Sequence, residues 1–413
     1  MRPRRAAGAL GLLLALAVSL AACATLREPP GPHAATGPEG LRAVSFAALP
    51  GWNEDHPARS LAAFVRGCGE LLYLPPDQAL GGAGPAATLG GKAGDWTAAC
   101  LAARAVRPAD DAAARAYFAA WFQPYEVEAG GAGRAEIGGY YEPEAAGALT
   151  ESAAFRVPLL ARPRDLVRVD PAAMAPPAGA SAPARPIFGR LDHGRLVPYY
   201  TRAEIDAGAL RADHLAIAWL ADPLAAYLMQ VEGFGRVRLA DGQMLRVGFA
   251  GQNGRPYVPI GKVMAARGMI GADAVDLAHI RAWLAAHPAL AQGVLDANPN
   301  YVFFRLLGNI PPRQGAPGAL GVPLTPRRSL AVDRAFIPLG APVFLATTDP
   351  LSGRPWRRMM LAQDLSGSVR GALRADVYFG WGRAASRAAG RPPRAGRLYL
   401  LLPRQSPRPA GTG

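Results

Sequence analysis

The sequence predicts a mainly β protein with flanking helices, divided between two domains. Three observations carry that expectation. From Tyr301 onward, short strand-like runs alternate with Gly and Pro turns, the texture of small barrels. Helical patterns cluster instead between residues 59 and 122. The length left after an N-terminal leader, about 370 residues, is more than one ordinary domain holds.

The leader comes first. Arg2, Arg4 and Arg5 charge the extreme N-terminus, and Ala9 to Leu20 form an apolar run, the signal-peptide pattern. That run is shorter than the roughly 20 apolar residues of a membrane-spanning helix. It closes on Leu20-Ala21-Ala22-Cys23, which resembles a bacterial lipoprotein box, where the Cys is acylated and the chain is cut before it. Residues 1–22 are therefore expected to be a lipoprotein signal peptide. Residues 23–40 would be lipidated Cys23 followed by a Pro-, Gly- and Ala-rich tether. More than one acyl chain is needed for stable anchoring. Ala24, rather than Asp, after the Cys points to the outer membrane, facing the periplasm.

Cys68 and Cys100 remain, and in an oxidising compartment an even pair reads as a disulfide, with two free buried thiols as the other reading. The formal charge is +14, and loss of the three leader arginines leaves +11. No run of five basic residues follows the leader, so nucleic acid is not an expected partner. A basic surface suits an anionic polymer or a membrane face.

Along the mature chain, Arg59–Leu72, Trp96–Ala105 and Ala109–Phe122 read as helices. Short β-like runs follow at Ile137–Glu142 and Phe155–Leu160, before a Pro/Ala-rich loop at Asp170–Pro186. Leu215–Val231 reads as one helix with a break at Asp222-Pro223. Arg236–Leu239 and Met244–Phe249 flank Asp241-Gly242, a hairpin signal. Ala274–Ala286 is a helix stopped before Pro288. Strands are expected at Val302–Arg305, Val343–Thr347, Arg358–Gln363, Asp376–Phe379 and Arg397–Leu402, then a disordered tail at 404–413.

The densest chemistry lies between Asp364 and Gly382, where two carboxylates flank a Gly-containing loop between strands, with Arg370 and Arg374 close by. A carboxyl group at a strand start can be partly desolvated. Desolvation raises its pKa and keeps it protonated for general acid work. An Asp in a loop is also an ordinary turn former, and spacing alone leaves both readings open.

The pattern D-x-x-G-x-[IV]-x-G-x-x-R-x-D-[VIF]-[YF]-x-G over Asp364–Gly380 resembles the C-terminal signature of the MltA family of lytic murein transglycosylases. Four further segments match in order. They are Gly138-Gly139-Tyr140-Tyr141-Glu142-Pro143; Ala250 to Tyr257 with Ile260-Gly261-Lys262; Asn298 to Phe304; and Gly321 to Thr325 followed by Ser329 to Gly340. The resemblance implies a double-psi β-barrel domain plus a smaller inserted β domain, with glycan in the groove between them. On that plan, residues 41–140 form the helical N-terminal part of the barrel domain. Residues 141–300 form the insert, and 301–403 the C-terminal barrel part.

The resemblance also implies roles. Asp376 takes the catalytic position and Asp364 the companion acidic position. Asp333 falls on a third acidic position of the barrel and Gly367 on the glycine of the loop, where the usual Gly-Gly pair is Ser366-Gly367. Tyr140, Tyr141, Tyr301, Phe303, Phe304 and Trp381 are aromatic candidates for a sugar groove. Tyr140 and Tyr141 stand out beside Gly138-Gly139, while Phe303 and Phe304 sit in an apolar run that reads as core. Gln252 and Asn253 could hydrogen-bond acetamido groups, although a loop Asn-Gly is also a common turn.

The implied reaction is cleavage between N-acetylmuramic acid and N-acetylglucosamine, with the sugar's own C6 hydroxyl as nucleophile and a 1,6-anhydro end as product. Hydrolases generally need two carboxylates. Intramolecular attack supplies its own proximity, so one acid that becomes the base suffices. No cofactor is implied. The expected partners are peptidoglycan glycan strands and the outer membrane, with complexes of cell-wall synthases or amidases beyond them.

Other chemistries fit poorly. Asp364-Leu-Ser-Gly has one residue too many for an aspartic protease's D-[ST]-G. The six His are scattered without H-E-x-x-H, so no metal site is expected. Gly91-Lys92 lacks the P-loop's following Ser/Thr and its upstream Gly, and no G-x-S-x-G elbow occurs. The serious alternative is a non-catalytic peptidoglycan-binding lipoprotein, since a fold does not fix a function.

Overall fold

The computed structural model describes residues 39–130, 133–169, 186–210, 212–308 and 310–404. The leader, Cys23, most of the tether, nearly all of the Asp170–Pro186 loop and the C-terminal tail after Arg404 lie outside the described residues. Among those described, no helix is long and apolar enough to cross a membrane.

Six strands close into a barrel: β3 (Ala135–Glu142), β13 (Ser329–Val332), β14 (Pro342–Thr348), β15 (Pro355–Leu365), β16 (Arg374–Trp381) and β17 (Arg394–Pro403). The order is β17-β14-β15-β13-β16-β3, and β3 returns to β17 through Ile137↔Arg394, which removes the sheet edge. β13 runs parallel to β15, and β16 parallel to β3. β2 (Phe122–Ala129) and β1 (Glu39–Ala43) extend the sheet outward from β17.

Helices cover one side of the barrel. α1 (Ala58–Leu71) buries Leu61, Phe64 and Leu71, and a disulfide between Cys68 and Cys100 ties it to α3 (Thr97–Ala103), with α2 (Pro85–Gly90) between them. The paired reading of those two cysteines is the one realised. α4 (Asp111–Trp121) starts where Asp110 accepts the Ala113 N–H, the side-chain cap that the sequence supplies. Arg328 locks the preceding segment to the barrel: its Nη1 donates to both Asp55 carboxylate oxygens (3.0 and 3.1 Å), and both residues are 3 % exposed at the side chain.

Between barrel strands β3 and β13 the chain builds a six-stranded sheet in the order β12-β11-β10-β4-β9-β5. Its strands are β4 (Glu144–Ala148), β5 (Val157–Leu160), β9 (Ala216–Leu220), β10 (Phe234–Arg238), β11 (Met244–Gln252) and β12 (Val302–Leu306). β10 and β11 are the hairpin expected around Asp241-Gly242, with Gly242 at φ +85. A small sheet of β6 (Val167–Val169), β7 (Ile187–Asp192) and β8 (Arg195–Pro198) stands apart. α5 (Pro223–Glu232), α6 (Ile260–Ala266), α7 (Leu277–Ala286) and α8 (Pro288–Leu295) pack into one apolar cluster. α9 (Gly382–Ala389) follows β16.

Two expectations need correction, and one strand has no counterpart among them. Leu215–Val231 is not one helix, because Ala216–Leu220 is strand β9, paired with β4 and β5. The helix begins only at Pro223, where Asp222 accepts the Leu224 N–H and Pro occupies the first turn. Phe122 does not end a helix but opens β2, which carries Pro124 between β1 and β17. β13 went unread, because its four residues are all buried and show no alternation.

Candidate active site

Backbone register brings the two expected carboxylates together. Ala331 of β13 is paired with Asp364 of β15 on one side and with Asp376 of β16 on the other. Asp376 is in turn paired with Gly138 of β3. Residues in register point to one face of a sheet, so Asp364, Ala331, Asp376 and Gly138 form a row. The two acids stand two strand spacings apart, about 9.5 Å between backbones. Ala331 and Gly138 keep the row open. A Cβ on Gly138 would stand 2.3 Å from Asp376 Oδ1 and 3.0 Å from Arg374 Nη2, so any side chain there displaces the carboxylate.

Each acid is buried but differently served. Asp364, 8 % exposed, accepts the Tyr140 hydroxyl on Oδ2 (2.9 Å) and the Ala319 and Leu365 N–H groups on Oδ1 (3.0 and 2.9 Å). Burial pushes its pKa up to about 6 against those three bonds, which favour the ionised form. Asp376, 6 % exposed, has thinner support. Its Oδ1 is buried and lies 3.1 Å from Arg374 Nη2 without the alignment of a hydrogen bond. Its Oδ2 has a long contact of 3.5 Å from the Ser368 hydroxyl, and the Gly138 backbone N–H also favours its ionised form. Arg374 also pairs with Glu136 at 2.6 Å, so its charge is shared. Burial raises the Asp376 pKa, and Arg374 opposes the rise.

The loop between β15 and β16 is shaped by Asp333, whose Oδ2 accepts the Gly371 N–H (2.9 Å) and whose Oδ1 accepts the Ala335 N–H (3.0 Å). Asp333 therefore helps set the loop that joins the two strands carrying the acids. Gly371 has φ +87, where a side chain would be strained. Gly367 is exposed at the loop tip with open space around it, and the Ser366 and Ser368 hydroxyls bond to each other at 2.8 Å.

The structure separates the other candidates. Tyr140 and Tyr141 are neighbours on a strand and point to opposite faces. Tyr140 lies under Asp364 and packs on Tyr378 and Phe234, whereas Tyr141, 6 % exposed, joins the main barrel core. Asn253 is likewise corrected. It is 1 % exposed, and its amide donates to the Tyr200 and Pro299 carbonyls while accepting from the Tyr301 and Arg255 N–H groups. Nothing of it is left for a sugar. Gln252, at the end of β11, accepts from Asn300 (3.2 Å). Tyr301, Phe303 and Phe304 are buried, and Trp381 carries the Arg236 guanidinium stacked at 3.7 Å.

Two acids escaped sequence reasoning. Glu142, at the end of β3 and fully buried, accepts Arg246 Nε (2.9 Å) on Oε1 and the Tyr378 hydroxyl (3.1 Å) on Oε2, while Arg246 Nη2 (2.7 Å) and Arg236 Nε (3.1 Å) form ion-pair contacts without the alignment of hydrogen bonds. Arg236 and Arg246 come from β10 and β11, so this cluster clasps the second sheet to the barrel. Glu232, the last residue of α5, feels the negative charge of both Asp376 and Asp364. Its place in Val231-Glu232-Gly233 looked like a helix end and nothing more. Among the described residues no cluster of His, Cys, Asp or Glu is arranged to hold a metal ion.

Comparisons with known proteins bear on this arrangement. The model described as the MltA specific insert domain matches residues 136–305, and the 3D domain matches 328–402. A protein of Vibrio cholerae named membrane-bound lytic murein transglycosylase A is 32% identical over 231 residues, covering 54% of this chain and 60% of the relative. The chain thus spans less than two thirds of the relative it matches in sequence. Among solved structures, MltA from Neisseria gonorrhoeae aligns with a TM-score of 0.75 at 30% identity, over 92% of this chain and 98% of the other. Membrane-bound lytic murein transglycosylase from Agrobacterium tumefaciens aligns with a TM-score of 0.76 at 30% identity, over 88% and 98%.

Proposed function

Because the chain belongs to the MltA family, we propose that it is a peptidoglycan lytic transglycosylase with Asp376 as its acid. The observation that carries this reading is the row Asp364–Ala331–Asp376–Gly138, which leaves one buried carboxyl group, Asp376, short of hydrogen bonds beside an opening made by glycine and alanine. A carboxyl so placed holds its proton into the pH range where it is needed as an acid.

The reaction proceeds between N-acetylmuramic acid and N-acetylglucosamine. The Asp376 proton goes to the glycosidic oxygen as the bond from the muramoyl C1 to that oxygen breaks. The muramoyl C6 hydroxyl oxygen bonds to C1, and its proton returns to the Asp376 carboxylate. The enzyme is regenerated and a 1,6-anhydro end remains. No water is positioned, so no second carboxylate is obligatory. Asp364 supports the acid from two strands away, Asp333 holds their loop, and Gly367 and Gln252 remain the candidates for contact with the strand. The barrel is read as double-psi, with residues 141–300 inserted between its parts and glycan lying between the two. Lipidation of Cys23 would place the enzyme on the periplasmic face of the outer membrane, where cell-wall synthases or amidases are the expected company.

The test is product analysis of purified sacculi after digestion. Muropeptides with 1,6-anhydro ends support the lytic reading. New reducing ends make the protein a hydrolase, and no products make it a glycan-binding lipoprotein.

A further inference from the structure

Asp364 and the clasp at Glu142 are joined twice. Gly138, Tyr140 and Glu142 alternate along β3, and Asp376 and Tyr378 along β16, so their side chains share one face. Asp376 is paired with Gly138, and Tyr378 with Tyr140. A tyrosine row therefore lies beside the acid row, about 7 Å along the strands. The two hydroxyls serve different carboxylates: Tyr140 donates to Asp364 Oδ2 at 2.9 Å, and Tyr378 to Glu142 Oε2 at 3.1 Å. Burial raises the pKa of both tyrosines, so each keeps its proton and donates. Their ring centroids are 5.4 Å apart, and Phe234, the first residue of β10, packs on both at 6.2 and 6.3 Å. All three rings are buried, and packing this close passes a displacement of one ring to the next.

A second arm reaches the other oxygen of Asp364. Arg236 of β10 donates to the Pro312 and Gln314 carbonyls, both at 2.9 Å, and Arg246 of β11 donates to Gln314 at 3.2 Å. Further along the same segment, the Ala319 N–H donates to Asp364 Oδ1 at 3.0 Å. Between these points the chain passes directly against the tyrosine row. A Cβ on Gly315 would stand 2.7 Å from the Tyr378 hydroxyl oxygen, so only glycine lets the segment through. Both arms start from the arginine pair that the second sheet sets against Glu142.

We infer that Tyr378 and Arg236 are positioning residues for the proposed reaction: they tie both oxygens of Asp364 to the second sheet, one through Tyr140 and the other through residues 312–319. The supporting carboxyl is thereby placed by the sheet that packs across from it, and not by the barrel alone. The inference rests on the lytic reading for its effect on cleavage, but not for the tie itself.

Tyr378→Phe removes one oxygen and keeps the ring on Tyr140 and Phe234. Arg236→Lys keeps a charge beside Glu142 but cannot fork to two carbonyls. The Asp364 carboxyl carbon is titrated by ¹³C NMR in the native protein and the variants, and assigned by its loss in Asp364→Asn. In parallel, cleavage of soluble glycan strands is followed by release of anhydro ends. The Tyr140 hydroxyl and the Ala319 N–H both favour the ionised form, so loosening either raises the titration. Tyr140→Phe sets the scale, with a rise of about one to two pH units. Tyr378→Phe should raise it by about half a unit, about threefold in the ionisation constant, and should add nothing once Tyr140→Phe is present. Arg236→Lys acts through both arms and should raise it in either background. In both variants kcat is expected to fall about three- to tenfold with KM near native. An unmoved Asp364 titration overturns the inference, and Tyr378→Phe decides this alone should Arg236→Lys not fold. So does a Tyr378→Phe shift that adds in full to that of Tyr140→Phe, or a native kcat in a variant whose titration has moved. If the native enzyme releases no anhydro ends, the lytic reading fails, and the titration still decides the tie.

Discussion

Glu142 and Asp376 lie on adjacent, parallel strands of one barrel, and both are buried, yet their surroundings are opposites. Glu142 has two arginines and a tyrosine on its two oxygens, and those arginines are themselves tied to the Pro312 and Gln314 carbonyls. Asp376 has part of one arginine, a long serine contact and the Gly138 backbone N–H. Burial costs both groups hydration, and Glu142 has two whole arginines to offset it where Asp376 has a share of one. The difference separates a carboxylate that holds two sheets together from one that is kept ready to give up a proton. Sites that break the usual compensation of buried charge are where chemistry is to be sought.

The largest expected effect sharpens the chemical side. Asp376→Asn removes the proton donor with little change in shape and should cut release of anhydro ends by about 10³-fold. Substantial residual cleavage of purified sacculi would move the acid to another residue.

The next effect addresses the structural side. Glu142→Gln leaves Arg236 and Arg246 buried against a neutral amide and should lower unfolding stability by about 3–5 kcal/mol. Urea unfolding checks it, and a loss below about 1 kcal/mol would mean the clasp carries no load.

A smaller effect lies between the two cases, at Asp364, which has hydrogen bonds but no cation. Its pKa in the fold, about 6, is raised above the ordinary 3.8. Its contribution to stability is therefore fully present below about pH 4 and is lost as pH rises through about 6. Tyr140→Phe removes a bond that favours the ionised form, which raises that pKa further. The variant should lose about 2 kcal/mol, more at pH 8 than at pH 5, as read from unfolding midpoints at the two values. An equal loss at both would show that the hydroxyl does not serve the carboxylate.

What was legible in the sequence follows from how far apart the partners lie. Asp364 and Asp376 share one strand–loop–strand, so their pairing could be read locally. Cys68 and Cys100 needed only counting. Glu142 finds Arg246 104 residues away and Tyr378 236 residues away, which no local pattern reports. Asn253 was misread for the same reason in reverse: a loop Asn-Gly looks free until Tyr200, Pro299 and Tyr301 occupy it. Gly138-Gly139 looked like flexibility beside two tyrosines. Their actual constraint is closeness to β16, since side chains there would meet Asp376 and Phe379.

The contrast between the two carboxyl groups is tested most directly by urea unfolding of Asp376→Asn beside the native protein at pH 7.5. Removing a buried charge with incomplete support is expected to leave the midpoint equal to or above the native one, even as cleavage is lost. A fall in stability as large as that of Glu142→Gln would contradict it, making Asp376 one more compensated charge of the barrel.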